Sequence, residues 1–175
     1  MYLDWGLHMA GGEIQIIDDF LSKEDFNLVH DHIMSSEFAW YWNDIVYKGS
    51  KKENQITNYY TTHMLYQNVP MSTSFDFLID KFFNKLEIKA LERMKVNCYP
   101  GQDNLFEHGY HVDRNYTHKG AIFCVNTCNG YTSFKTGEKI DSIENRMILF
   151  DPSKEHSSTN TTNAKRRVNI NFNYF

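Results

Sequence analysis

Apolar and polar positions change their period along this chain. Near the start, Ile14-Gln15-Ile16-Ile17-Asp18-Asp19-Phe20 reads as a short strand. Ser22-Lys23-Glu24-Asp25 then has the form of a capping box opening a helix, and Phe26, Val29, Ile33 and Met34 give that helix one apolar face. Residues 43–58 are polar, with Lys48, Lys51 and Lys52 beside Gly49 and Ser50, and read as a loop. A second helix is expected to begin near Ser72, because Phe75, Leu78, Phe82 and Leu86 recur at helical spacing. From about Ala90 the period falls to two. Arg93, Lys95, Asn97 and Tyr99 alternate with Met94, Val96 and Cys98, and further strands are expected near 121–126, 147–151 and 167–175. Pro100-Gly101, Asn129-Gly130, Thr136-Gly137 and Asp151-Pro152 punctuate them as turns. Helices first and strands after predict an α+β chain whose β part is a sandwich or barrel.

Composition narrows the class. At 175 residues the chain suits one domain, 1–175, and 15% aromatic residues are enough to build a packed interior. The net charge of −4 gives no global attraction for a polyanion; nucleic acid is disfavoured but stays open. Three cysteines, Cys98, Cys124 and Cys128, form no disulfide framework and fit a reducing compartment. No signal peptide and no apolar run of membrane-spanning length is seen, so a soluble cytoplasmic protein with no membrane partner is expected.

The chemistry begins at His111-Val112-Asp113. Residues two apart on a strand point to one side, so one imidazole and one carboxylate can reach a single ion. His156 follows 45 residues later, just beyond a strand. Two histidines and one carboxylate on one face of an octahedron leave three positions open, which suits non-haem Fe(II); a structural zinc would ask for four ligands, usually thiolates. On the last strand Arg167, Asn169, Asn171 and Asn173 alternate with Val168, Ile170, Phe172 and Tyr174. Arg167 on the polar face can clamp a carboxylate, and Arg166 has the opposite parity and should leave the cavity.

These residues, in this order, resemble the Fe(II)/2-oxoglutarate-dependent oxygenases, in particular small prolyl-4-hydroxylase-like members, many of phage origin. Asn97-Cys98-Tyr99-Pro100-Gly101 is similar to the N-x-Y-x-x-G stretch of the DNA-dealkylating members, with Gly one residue early, and Arg167-Val168-Asn169 to their R-x-N clamp. Asn129-Gly130-Tyr131-Thr132-Ser133-Phe134 and Asn145–Phe150 resemble segments of the prolyl-hydroxylase-like members, as does IIDDFLSKEDFNLV. The resemblance implies a double-stranded β-helix (jelly-roll) core at about 90–175, with helical support at about 1–89 packed on one sheet. It implies Fe(II) on His111, Asp113 and His156. It implies 2-oxoglutarate held by Arg167 with Tyr99, Asn97 and Asn169, and O2 consumed as succinate forms. Prolyl 4-hydroxylases carry Lys where Arg167 stands, and no base-binding lid of the dealkylating enzymes is recognisable.

A peptidyl, prolyl side chain is the first expectation for the substrate, with a nucleobase or small metabolite as the alternative. A non-catalytic jelly-roll binding protein is the third, less favoured reading, since it has no need for all four groups. Residues 43–58 are expected to act as a lid. His63, His108 and His118 are read as non-ligands, Cys124 and Cys128 as packing residues, and Trp40 and Trp42 as core residues, or walls of a groove.

Overall fold

A computed structural model describes residues 14–44, 46 and 58–175. Its elements are β1 (Gln15–Ile17), α1 (Lys23–Met34), β2 (Tyr41–Asn43), β3 (Tyr60–Gln67), α2 (Phe75–Phe82), β4 (Leu91–Pro100), β5 (Lys119–Cys124), β6 (Tyr131–Phe134), β7 (Lys139–Asp141), β8 (Arg146–Phe150), β9 (His156–Ser158) and β10 (Arg166–Tyr174). Ser22 caps α1 as expected, its hydroxyl accepting from the Asp25 N–H at 3.1 Å. The second helix starts at Phe75, three residues later than Ser72.

The fold is mostly β. Seven strands form one antiparallel sheet in the order β1-β8-β5-β10-β4-β3-β2, and three form a second in the order β7-β6-β9. The alternation of each strand divides its apolar residues between two cores. Phe123 of β5, Met147 and Leu149 of β8, and Ile170 and Phe172 of β10 face the helices, where they meet Val29, Ile33, Leu78 and Phe82. Ile122, Cys124, Ile148 and Phe150 face the other way and meet Phe134 and Ile140 of the small sheet. The molecule is thus layered as helices, large sheet, small sheet.

The support expected over 1–89 is not only helical among the described residues: besides β1, which the run Ile14–Phe20 predicts, β2 and β3 lie in that stretch, and β3 pairs with β4 to widen the large sheet. Trp42 is corrected too: it lies on the edge strand β2, is 60% exposed and stacks on Tyr59 rather than entering the core. Trp40 does pack on Phe38. No helix among the described residues is long and apolar enough to cross a membrane.

Candidate functional site

Between the sheets, at the end where the large core stops, lies a cleft of about 470 Å³, its open mouth included. β4 and β10 supply its floor in paired rows. Tyr99 stands opposite Arg167, Asn97 opposite Asn169, Lys95 opposite Asn171 and Arg93 opposite Asn173. Directly opposed residues of an antiparallel pair project from the same face. Two alternating sequences, each unremarkable alone, therefore build one polar floor.

His111 and His156 are 45 residues apart in sequence but opposite each other in space. The N–H of each donates to the carbonyl of the other at 2.9 Å, extending β9 with the chain that enters the His-Val-Asp segment. Their rings lie 4.6 Å apart. Asp113, two residues on, points to the same side, and one ligand atom from each of the three residues falls within 4.8 Å of the others. The Nδ1 atoms of His111 and His156 lie 3.3 Å and 2.9 Å from the carbonyls of Gly109 and Lys154. A carbonyl only accepts, so each Nδ1 carries the proton and each Nε2 presents a lone pair. Asp113 is oriented in the same manner. Its Oδ2 accepts from Asn173 Nδ2 at 2.9 Å and pairs with Arg93 at 2.8 Å, while Oδ1 is 4.0 Å from His111 Nε2.

The protonation states suit a cation. Burial lowers His111 to about 4, with His156 adding and Asp113 opposing, and burial lowers His156 as well. Burial alone would raise the Asp113 carboxyl. The charge of Arg93, with hydrogen bonds from Asn173 and Arg93, instead holds it well below the usual carboxylate range. At neutral pH the trio is two neutral imidazoles and a carboxylate. That donor set, with three protein ligands from one side, fits an open-sided divalent metal such as Fe(II).

Arg167 is fully buried, with no acidic partner among the described residues. Its Nη1 donates to the Thr159 carbonyl at 3.0 Å and its Nη2 to Thr132 Oγ1 at 2.9 Å. Its Nε has no partner, and the guanidinium lies 5.5 Å from the Tyr99 ring centre. Thr132, Tyr99 and Asn169 line the cleft in front of it. A buried cation without a counter-ion costs several kcal/mol unless an anion joins it, so this corner suits a ligand carboxylate. Arg166 turns the other way and donates to the Met34 carbonyl at 2.7 Å, in accord with its parity.

Other expectations are settled locally. His63 is a satisfied structural residue between the Ala39 carbonyl and Ser72 Oγ, both at 2.7 Å. His118 lies against the Tyr116 carbonyl, and Cys124 and Cys128 are buried. His108 comes nearer than its sequence context implies: it stacks on Tyr99 at 5.4 Å and reaches Ser158 Oγ through Nδ1. Arg93, Lys95 and Tyr60 are cleft residues that the motif analysis did not single out, although Arg93 and Lys95 share the strand parity of Asn97 and Tyr99. Of the expected lid at 43–58, most lies outside the described residues; Val46 lines the cleft.

Solved structures with this architecture span nearly the whole chain. A prolyl hydroxylase from Trichoplax adhaerens, solved with a peptide fragment of the hypoxia inducible factor oxygen degradation domain, matches at TM-score 0.64 and 15% identity, over 92% of this chain and 83% of that one. The fold is that of the 2-oxoglutarate–Fe(II) oxygenases. A 2-oxoglutarate–Fe(II) oxygenase family protein from Burkholderia pseudomallei aligns at TM-score 0.63 and 11% identity, covering 96% of this chain and 86% of its own. The viral collagen prolyl hydroxylase of Paramecium Bursaria Chlorella virus-1, solved with 2-oxoglutarate, aligns at 0.56 and 16%, covering 91% and 94%. No protein-family model matches the sequence, and no curated protein matches it. This oxygenase fold thus recurs in chains of very different sequence, and the cleft must be read from its own residues.

Proposed function

We propose that this chain is an Fe(II)- and 2-oxoglutarate-dependent dioxygenase that hydroxylates its substrate. The observation that carries the reading is the three-ligand cluster His111, Asp113 and His156 in a cleft behind whose lining residues Thr132, Tyr99 and Asn169 lies the uncompensated guanidinium of Arg167. The two sheets correspond, in this reading, to the double-stranded β-helix (jelly roll) of the oxygenase fold.

Loaded with Fe(II), 2-oxoglutarate and O2, such a site supplies the oxidising power that puts one oxygen atom into a substrate C–H bond and the other into succinate, with loss of CO2. The chain's own residues do the rest. His111 and His156 present Nε2 because the carbonyls of Gly109 and Lys154 fix their tautomers. Asn173 and Arg93 hold Asp113 ionised and orient its free oxygen toward the imidazoles. Arg167 takes the far carboxylate of the cosubstrate, steadied by Thr132, with Tyr99, Asn97 and Asn169 along its path. Asn97 donates to Asn169 Oδ1 at 2.9 Å, so the pair is pre-oriented before any ligand arrives.

For the substrate, a peptidyl prolyl side chain is preferred, because two of the solved structures with this fold are prolyl hydroxylases and one of them holds a peptide. The test is succinate formation from 2-oxoglutarate under air, with Fe(II) and a panel of proline-containing peptides and methylated oligonucleotides. The proposal expects slow uncoupled succinate formation in the wild type and none in His111→Ala. Equal traces from both proteins would support the non-catalytic binding role.

A further inference from the structure

The cleft holds more positive charge than the cosubstrate needs. Among the described residues, Arg93, Lys95 and Arg167 face or adjoin it with Asp113 as the only carboxylate, leaving two positive charges in excess. A divalent metal and the 2-oxoglutarate dianion cancel each other, so the excess survives loading. Arg167 is committed to the cosubstrate, and Arg93 is held by Asp113 at 2.8 Å and by Asn171 Oδ1 at 3.0 Å. Lys95 is different. Among the described residues it has no ion pair and no hydrogen bond, and its ammonium lies 5.5 Å from the Tyr60 ring centre. A strand position that served packing alone would be filled by an aliphatic residue at lower cost, since half-burying an ammonium that no protein carboxylate pairs is unfavourable.

Lys95 is also well placed. It stands one pleat from Arg93, about 7 Å along the strand, and Arg93 touches the metal-ligating carboxylate. Asn171, opposite Lys95, lines the same cleft. We infer that Lys95 is a specificity-determining residue that receives a carboxylate of the substrate beside the metal site. The inference rests on the oxygenase reading and deepens it. A single mobile point charge suits a monoanion better than a polyanion, and the chain's net charge of −4 repels nucleic acid at long range. The chemistry is thus an amino-acid unit bearing a carboxylate, from one of two sources: the α-carboxylate of a free or terminal residue, or an acidic side chain next to the target residue in a peptide. Burial and the Arg93 charge lower Lys95 to about 8, against the pull of Asp113; a bound carboxylate would relieve that penalty.

The test is calorimetric binding to protein loaded with Mn(II) and 2-oxoglutarate. Probes are N-acetyl amino acids, led by N-acetyl-proline, each paired with its neutral amide, together with prolyl peptides carrying Glu or Gln beside the proline. The expected result is that acids bind about tenfold to a hundredfold more tightly than their neutral partners in at least one of the two sets. Which set shows it identifies the source. Lys95→Gln should reduce the acid-to-neutral ratio to near one, and Lys95→Arg should keep it. Absence of any acid preference in the wild type, a ratio unchanged in Lys95→Gln, or tighter binding of inorganic phosphate than of every acid would overturn the proposal. So would a loss of more than tenfold in 2-oxoglutarate affinity in Lys95→Gln, which would make Lys95 part of the cosubstrate clamp. Failure of the wild type to bind 2-oxoglutarate at all would overturn the oxygenase reading, and this proposal with it.

Discussion

Two arginines adjacent in sequence have opposite fates in this protein. Arg167 is buried behind the cleft, and Arg166 reaches the carbonyl end of α1. Loss of a charge-assisted partner costs roughly 1.5–3 kcal/mol, so Arg167→Ala should weaken 2-oxoglutarate binding by about one to two orders of magnitude in a calorimetric titration. Arg166→Ala should leave that affinity nearly unchanged. Reversed effects would contradict the strand parity. Lys95 makes a second prediction at this scale. Its folded pKa, about 8, lies below the ordinary 10.5, so the unfolded chain holds that proton more tightly. The charge therefore destabilises the fold in full below about pH 8, and the penalty fades as pH rises toward 10.5. Lys95→Met should be more stable than the wild type in urea at pH 7, with the gap narrowing between pH 8 and 10.5. A gap that does not change with pH would show that burial of the charge is not its cause.

Among the elements, β10 was the most legible in the sequence, because its alternation of Arg and Asn with Val, Ile and Phe continues without a break through Tyr174. The roles of Arg93 and Lys95 were not, because they depend on which strand lies beside β4, and that is a long-range fact. β3 escaped notice for a different reason. It is rich in Tyr and Thr, but a register shift between Met64 and Tyr66 breaks the period of two by which strands are recognised. β2 is only three residues long and lies at the sheet edge, which leaves Trp42 exposed where its composition predicted burial. The approach of Gly130, in the turn before β6, to Arg167 of β10 gives a test. A Cβ on Gly130 would fall 2.6 Å from Arg167 Cδ and collide with the Asn160 carbonyl oxygen. Gly130→Ala should therefore lower stability by about 1–3 kcal/mol, the usual cost of overpacking, and weaken 2-oxoglutarate binding, because the colliding atom belongs to the clamp. Destabilisation with unchanged cosubstrate affinity would show that Arg167 is not the residue that is displaced.

At the scale of the molecule, two apolar cores on either face of one sheet leave a polar seam where neither reaches, and every group assigned to the reaction lies on or behind that seam. The ligand trio was readable from spacing, yet its assembly depends on the reciprocal backbone pairing of His111 with His156, which no local pattern encodes. The most direct test of the central claim is anomalous diffraction from a crystal grown with Mn(II) and 2-oxoglutarate. The account predicts one strong metal peak per chain, within bonding distance of His111 Nε2, His156 Nε2 and Asp113 Oδ1, with the far carboxylate of 2-oxoglutarate on Arg167. A peak at His108 or His118 instead, or no metal between the trio, would contradict it.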